Sequence, residues 1–85
     1  MENQIKESQK EFYECLERKE EIEFTFKGKH YSIQPINEGY EVWIENQGKI
    51  HFFKTIDETL NNQYLDGKSF LEAENKNELI DLILF

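Results

Sequence analysis

Residues 21–33, EIEFTFKGKHYSI, decide the fold. Ile22, Phe24 and Phe26 alternate with Glu21, Glu23 and Thr25, the period-two pattern of a half-buried strand. Lys27-Gly28-Lys29 supplies the reversal, because glycine takes the positive φ of a short hairpin loop without steric cost. Tyr31 and Ile33 resume the alternation, so the predicted hairpin carries Phe24, Phe26, Tyr31 and Ile33 on one face. A two-stranded ribbon is marginal in water, and this face needs the rest of the chain as its cover.

Upstream, the spacing predicts a helix over residues 3–19. Ile5, Phe12, Tyr13 and Leu16 recur on one side, with Glu7, Lys10, Glu11, Glu14, Glu17 and Arg18 on the other. Glu14 and Arg18 have the i,i+4 spacing of a helical ion pair. Cys15 lies beside the apolar stripe and reads as a small core filler rather than a nucleophile.

Downstream, Gln34-Pro35 is expected to end the second strand, since proline donates no ladder hydrogen bond. After the Asn37-Glu38-Gly39 turn, Tyr40, Val42 and Ile44 alternate with Glu41, Trp43 and Glu45. A second turn, Asn46-Gln47-Gly48-Lys49, precedes a fourth strand over residues 50–53. Thr55 with Glu58, and Ser69 with Glu72, have capping-box spacing and start short helices over 56–63 and 70–75. Residues 79–85 carry apolar side chains on both faces. They suit a strand or a helix, with a fifth strand preferred. The expected architecture is a single α+β domain over residues 1–85. A four-stranded antiparallel meander (22–26, 30–34, 40–45, 50–53) has the N-terminal helix and the short C-terminal helices on one face.

The chain has 85 residues and a formal charge of −8. The negative charge gathers at the ends: four basic residues against eight acidic in 1–23, five against six in 24–71, and one against four in 72–85. Binding to a duplex needs clustered cations that displace counterions, and direct nucleic-acid binding is not expected. A single cysteine excludes an internal disulfide and suits a reducing compartment. With neither a bilayer-length apolar run nor a signal-peptide core at the start, the expected location is cytoplasmic, off the membrane.

Gly67-Lys68-Ser69 resembles the end of a phosphate-binding loop, but Asn62 stands where the motif needs its first glycine. A capped turn is the simpler reading. His30, His51 and Cys15 lack the paired spacing of a metal site, so neither metal nor cofactor is expected. No base is placed to activate Cys15, and no catalytic residue is assigned. If Ile50 and Phe52 join the covered face, the other face shows Glu23, Thr25, His30, Ser32, Glu41, Trp43, Glu45, His51 and Phe53. Aromatic anchors among polar side chains suit a protein-binding surface. The competing reading has the C-terminal segment or a second subunit covering Trp43. A second candidate surface is the acidic ridge Glu7, Glu11, Glu14 and Glu17, continuing to Glu20 and Glu21. Carboxylates along a helix imitate a row of phosphates, although most such runs only confer solubility.

Phe24-Thr25-Phe26-Lys27-Gly28-Lys29-His30-Tyr31-Ser32-Ile33 and Leu65-Asp66-Gly67-Lys68-Ser69-Phe70, with Phe53-Lys54-Thr55-Ile56-Asp57-Glu58, resemble small acidic proteins of uncharacterised function from low-GC Gram-positive bacteria and their prophages. The resemblance spans most of residues 22–71 and brings no catalytic residue. It implies a phage or mobile-element setting, in which genes of this size often encode inhibitors of host proteins. The leading expectation is therefore a non-enzymatic protein that binds a basic partner, such as an anti-CRISPR-like inhibitor at a nucleic-acid-binding surface. Two alternatives stand beside it: a module that sequesters a nucleotide signal through Gly67, Lys68 and Ser69, and a structural homo-oligomer joined through Trp43 and Phe53.

Overall fold

A computed structural model describes residues 9–85 and shows an α+β fold. In chain order the elements are α1 (Lys10–Glu17), β1 (Ile22–Phe26), β2 (Lys29–Ile36), β3 (Gly39–Ile44), β4 (Gly48–Phe53), α2 (Ile56–Asn61), α3 (Phe70–Asn75) and β5 (Leu79–Leu84). The strands form one open antiparallel sheet in the order β4-β3-β2-β1-β5. Residues 79–84 thus form a strand, added to the edge of β1. Ile5, Glu7 and the start of the expected first helix lie outside the described residues. Among the described residues, no helix is long and apolar enough to cross a membrane.

The core forms between the inner sheet face and the three helices. Phe12, Cys15 and Leu16 of α1, Leu60 of α2 and Phe70 and Ala73 of α3 are buried there. They meet Ile22, Phe24, Phe26, Tyr31, Ile33, Tyr40, Val42 and Ile44 from the strands. Phe70 is the centre: its ring meets Phe12 edge-on at 5.0 Å and Phe24 at 5.2 Å, while Phe24 stacks on Tyr31 at 5.1 Å. The Ser69 capping box holds Phe70 at the first position of α3. Ser69 Oγ accepts from Glu72 N–H at 3.1 Å, and Glu72 Oε1 accepts from Ser69 N–H at 2.8 Å. At α2 the Thr55 hydroxyl caps Glu58 N–H, while Glu58 reaches one residue further back, to Lys54 N–H. This helix stops at Asn61 rather than 63, and the Tyr64 hydroxyl donates to the Thr59 carbonyl just beyond its end.

Two expectations about the sheet are corrected. β2 does not end at Pro35 but runs to Ile36, with Pro35 opposite Tyr40. β1 reaches only to Ile22, opposite Ile33, so beyond that point β2 has no partner on that side and proline forfeits no ladder bond. The second correction is the facing of β4. A bulge places Val42 opposite His51 but Trp43 opposite Lys49. The extra residue reverses the parity, so His51 and Phe53 face the helix layer and Phe52 turns outward, opposite Glu41 and 40% exposed. Phe53, His51 and Tyr64 form an aromatic stack at the border of the core, with centroids 5.4–5.8 Å apart. Ile50 packs against the core as expected.

Gly39, at the start of β3, packs closely against the end of β4. A Cβ there would collide with the Phe53 carbonyl and crowd the Phe52 ring and Lys54 Cα, at 3.0 and 3.1 Å. Two of these contacts are backbone, which yields only by moving the strand pair. Gly39→Ala is expected to destabilise the domain by about 1–3 kcal/mol, read from the urea unfolding midpoint.

Candidate functional site

With all three helices on one side, the other sheet face has no covering element among the described residues. Cross-strand register arranges its side chains in rows. Ile83, Glu23, Ser32, Trp43 and Lys49 form one, Gln34, Glu41 and Phe52 a second, and Ile80, Thr25 and His30 a third. Ser32, short and only 9% exposed, lies between Glu23 and Trp43, so the centre of the face is concave. The depression measures about 400 Å³ and is walled by Trp43, Glu21, Glu23, His30, Gln34 and Glu45. The C-terminal strand adds to the sheet edge and does not cover Trp43, whose half-buried ring lies beside Gly48.

The indole is fixed by its neighbours. Trp43 Nε1–H donates to Glu41 Oε1 at 3.0 Å, and Glu41 Oε2 lies 3.5 Å from Lys49 Nζ. On the far side, His30 Nε2 stands 3.5 Å from Glu23 Oε1, and His30 Nδ1 the same distance from Thr25 Oγ1. Gln34 Nε2 donates to Ser32 Oγ at 2.9 Å. Among the described residues no lysine or arginine bridges Glu21, Glu23 or Glu45, so the negative field over the depression is only partly offset. Burial, with the charge of Glu23 second and His30 opposing, holds the Glu21 carboxyl above its ordinary range. A rigid indole within a carboxylate rim suits a cationic or amide-rich protein surface, through cation–π contact and charge-assisted hydrogen bonds.

The structure sorts the expected site residues into two separate surfaces. Trp43, Glu41 and Glu45 belong to the open face. Phe53 and His51, expected beside them, lie on the opposite side of the sheet, and His30 and His51 therefore do not share a face. Glu11, Glu14 and Glu17 are exposed on α1, whose apolar side covers the inner face, so this ridge points away from Trp43. Glu7 falls outside the described residues. Arg18 pairs with Glu20, at 3.1 Å, rather than with the expected Glu14. Phe52 is the outer-face aromatic that alternation missed. The register shift falls between Lys49 and His51, where the local sequence carries no glycine or proline to mark it.

Gly67, Lys68 and Ser69 carry structural roles. Asp66-Gly67 is a tight turn closed by paired Leu65–Lys68 backbone bonds, Ser69 caps α3, and Lys68 Nζ contacts both Glu78 oxygens at 2.7 and 2.8 Å. Cys15 is fully buried, with Sγ directed at the Glu20 and Glu21 carbonyls, and burial raises its thiol and disfavours the thiolate. Among the described residues no group of three or more His, Cys, Asp or Glu is placed to hold a metal ion.

The two shifted glutamates give opposite pH signatures. The Lys68 hydrogen bond holds Glu78 below the ordinary 4.5. Its contribution to stability is present above 4.5 and is lost as pH falls through the lower folded value. Glu21 is raised from 4.5, so its contribution is present below 4.5 and is lost as pH rises through the higher folded value. Glu78→Gln is expected to lower Tm at neutral pH, whereas Glu21→Gln raises it. Both differences vanish in strong acid, as thermal melts followed by circular dichroism would show.

No protein-family model, curated protein or solved structure matches the chain.

Proposed function

We propose that this chain is a non-enzymatic binding protein whose open sheet face, centred on Trp43, engages a basic surface of another protein. The observation that carries this reading is the indole itself. It lies on a sheet face that no described residue covers, oriented by Glu41 and bordered by Glu21, Glu23 and Glu45. Such a side chain has the character of an interface hot spot, with a large rigid area and a polar handle already oriented. The chain's −8 charge adds long-range attraction for a cationic partner. A basic surface of this kind commonly serves nucleic acid. Taken with the resemblance to small acidic proteins of low-GC Gram-positive bacteria and their prophages, this favours an inhibitor that competes with nucleic acid for a host protein, in the manner of an anti-defence protein.

The test is capture from a Gram-positive bacterial lysate with the immobilised chain, at low and high salt, alongside Trp43→Ala and Glu23→Lys variants. A basic protein held by the wild type, released by salt and lost with both variants is the expected outcome. Adding the partner's nucleic acid to the purified complex then displaces the chain. Capture that survives both substitutions would falsify the assignment of this face.

A further inference from the structure

The free edge of β5 has a property that the open face does not require. Four large hydrophobic side chains are exposed among the described residues; two belong to the C-terminal strand, Ile80 at 59% and Ile83 at 46%, and a third, Phe85 at 55%, follows it directly. Among the described residues β5 pairs only with β1, so its other edge offers unpaired backbone groups beside these side chains. Natural edge strands are commonly blunted by lysine, proline, other charges or a bulge; Leu79–Leu84 has neither lysine nor proline, and its bulge and its charge are confined to the middle of the strand. Its one charge is Asp81.

The bulge in β5 determines what this edge can pair with. Ile80 lies opposite Thr25 and Ile83 opposite Glu23, so both point to the open face, while Leu79 and Leu84 lie opposite Phe26 and Ile22 and point to the helices. Residues three apart in a regular strand face opposite ways. Here Asp81, at φ 54, absorbs the extra residue and resets the parity. An antiparallel pairing of β5 with its own copy, about a two-fold axis between Asp81 and Leu82, therefore sets Ile80 against Ile83 and Leu79 against Leu84. Every one of these pairs matches face to face. Moving the axis by half a residue, onto Leu82, would put Ile80 against Leu84 and mismatch the faces. In the matched register Asp81 meets Leu82 of the copy rather than its own counterpart.

We infer that β5 is a self-association edge and that its occupant is β5 of a second copy, joining two five-stranded sheets into one. A basic partner finds little to pair with along this strand, whereas the strand is complementary to itself. The inference does not depend on the protein-binding reading of the Trp43 face. A single short strand pair with three apolar side chains on each side is smaller than a standard stable interface, so the dimer is a weak one. The salt dependence has a distinctive sign. Each copy carries −8, so screening strengthens this association, whereas it weakens the binding of a basic partner.

Sedimentation equilibrium of the full chain, from low micromolar to millimolar concentration and at two salt levels, tests the inference. A monomer–dimer equilibrium that tightens with salt is expected. Ile83→Lys should weaken it about tenfold or more while leaving the circular dichroism spectrum unchanged, since the substituted side chain is exposed. The register is read separately by oxidising a mixture of Ile80→Cys and Ile83→Cys proteins, in which the mixed disulfide forms ahead of either homodimeric one. A monomer at every concentration overturns the inference. So does a dimer of undiminished affinity in Ile83→Lys, or a cross-link that favours the homodimers.

Discussion

Phe70→Ala is expected to remove about 3–5 kcal/mol of stability, the largest effect of any single truncation in this domain. The ring is fully buried and joins α3 to both α1 and β1 through edge-on contacts with Phe12 and Phe24. Its removal takes away the transfer free energy of the ring and leaves a cavity where three elements meet. It also loses aromatic contacts of about 0.5–1.5 kcal/mol each. Domains have about 5–15 kcal/mol of total stability, so this single truncation removes a large share of it. Urea denaturation followed by far-ultraviolet circular dichroism gives the difference directly. A loss below about 2 kcal/mol would mean that neighbouring side chains close over the vacancy.

The second large effect concerns binding. Trp43→Ala is expected to cost at least about 2 kcal/mol of partner affinity, roughly thirtyfold or more, with little change in the stability of the free chain. The indole is half-buried on a face without a cover among the described residues, so its truncation leaves the helix-side core untouched. It also frees Glu41, which loses its 3.0 Å partner and keeps only Lys49. The comparison that gives this result meaning is Glu11→Lys, Glu14→Lys and Glu17→Lys combined. These residues lie on the far side of the domain, so the triple reversal should slow association through long-range charge and leave the dissociation rate nearly unchanged. Surface plasmon resonance on the captured partner separates the two. A dissociation rate that responds to the helix and not to Trp43 would move the interface to α1.

Much of the fold was legible because its signals are local. The alternation of Ile22, Phe24 and Phe26, the Gly28 reversal and the Tyr31/Ile33 return define a hairpin whose register needs nothing from elsewhere. The Ser69–Glu72 capping box placed α3 over Phe70–Asn75, because cap and helix start are a few residues apart. The side on which α1 is apolar was equally plain, with Phe12, Cys15 and Leu16 all buried. Trp43 and Glu41 could be assigned to the outer face for the same reason, since strict alternation in β3 leaves them one choice.

The remainder depended on contacts between segments distant in sequence. In Ile50-His51-Phe52-Phe53 either parity offers an apolar set, so only the bulge against β3 decided that Phe53 turns inward and Phe52 outward. The final strand has apolar residues on both sides, and its state was decided by the open edge of β1. Pro35 continues β2 because β1 ends before reaching it. The sequence by itself determined the first four strands, their turns and the Thr55 and Ser69 caps, since periodicity and capping act over a few residues. Only the tertiary structure decided which face each aromatic joins and that the acidic helix and Trp43 stand on opposite sides, because a single inserted residue or an unpaired edge reverses those outcomes without altering the local pattern.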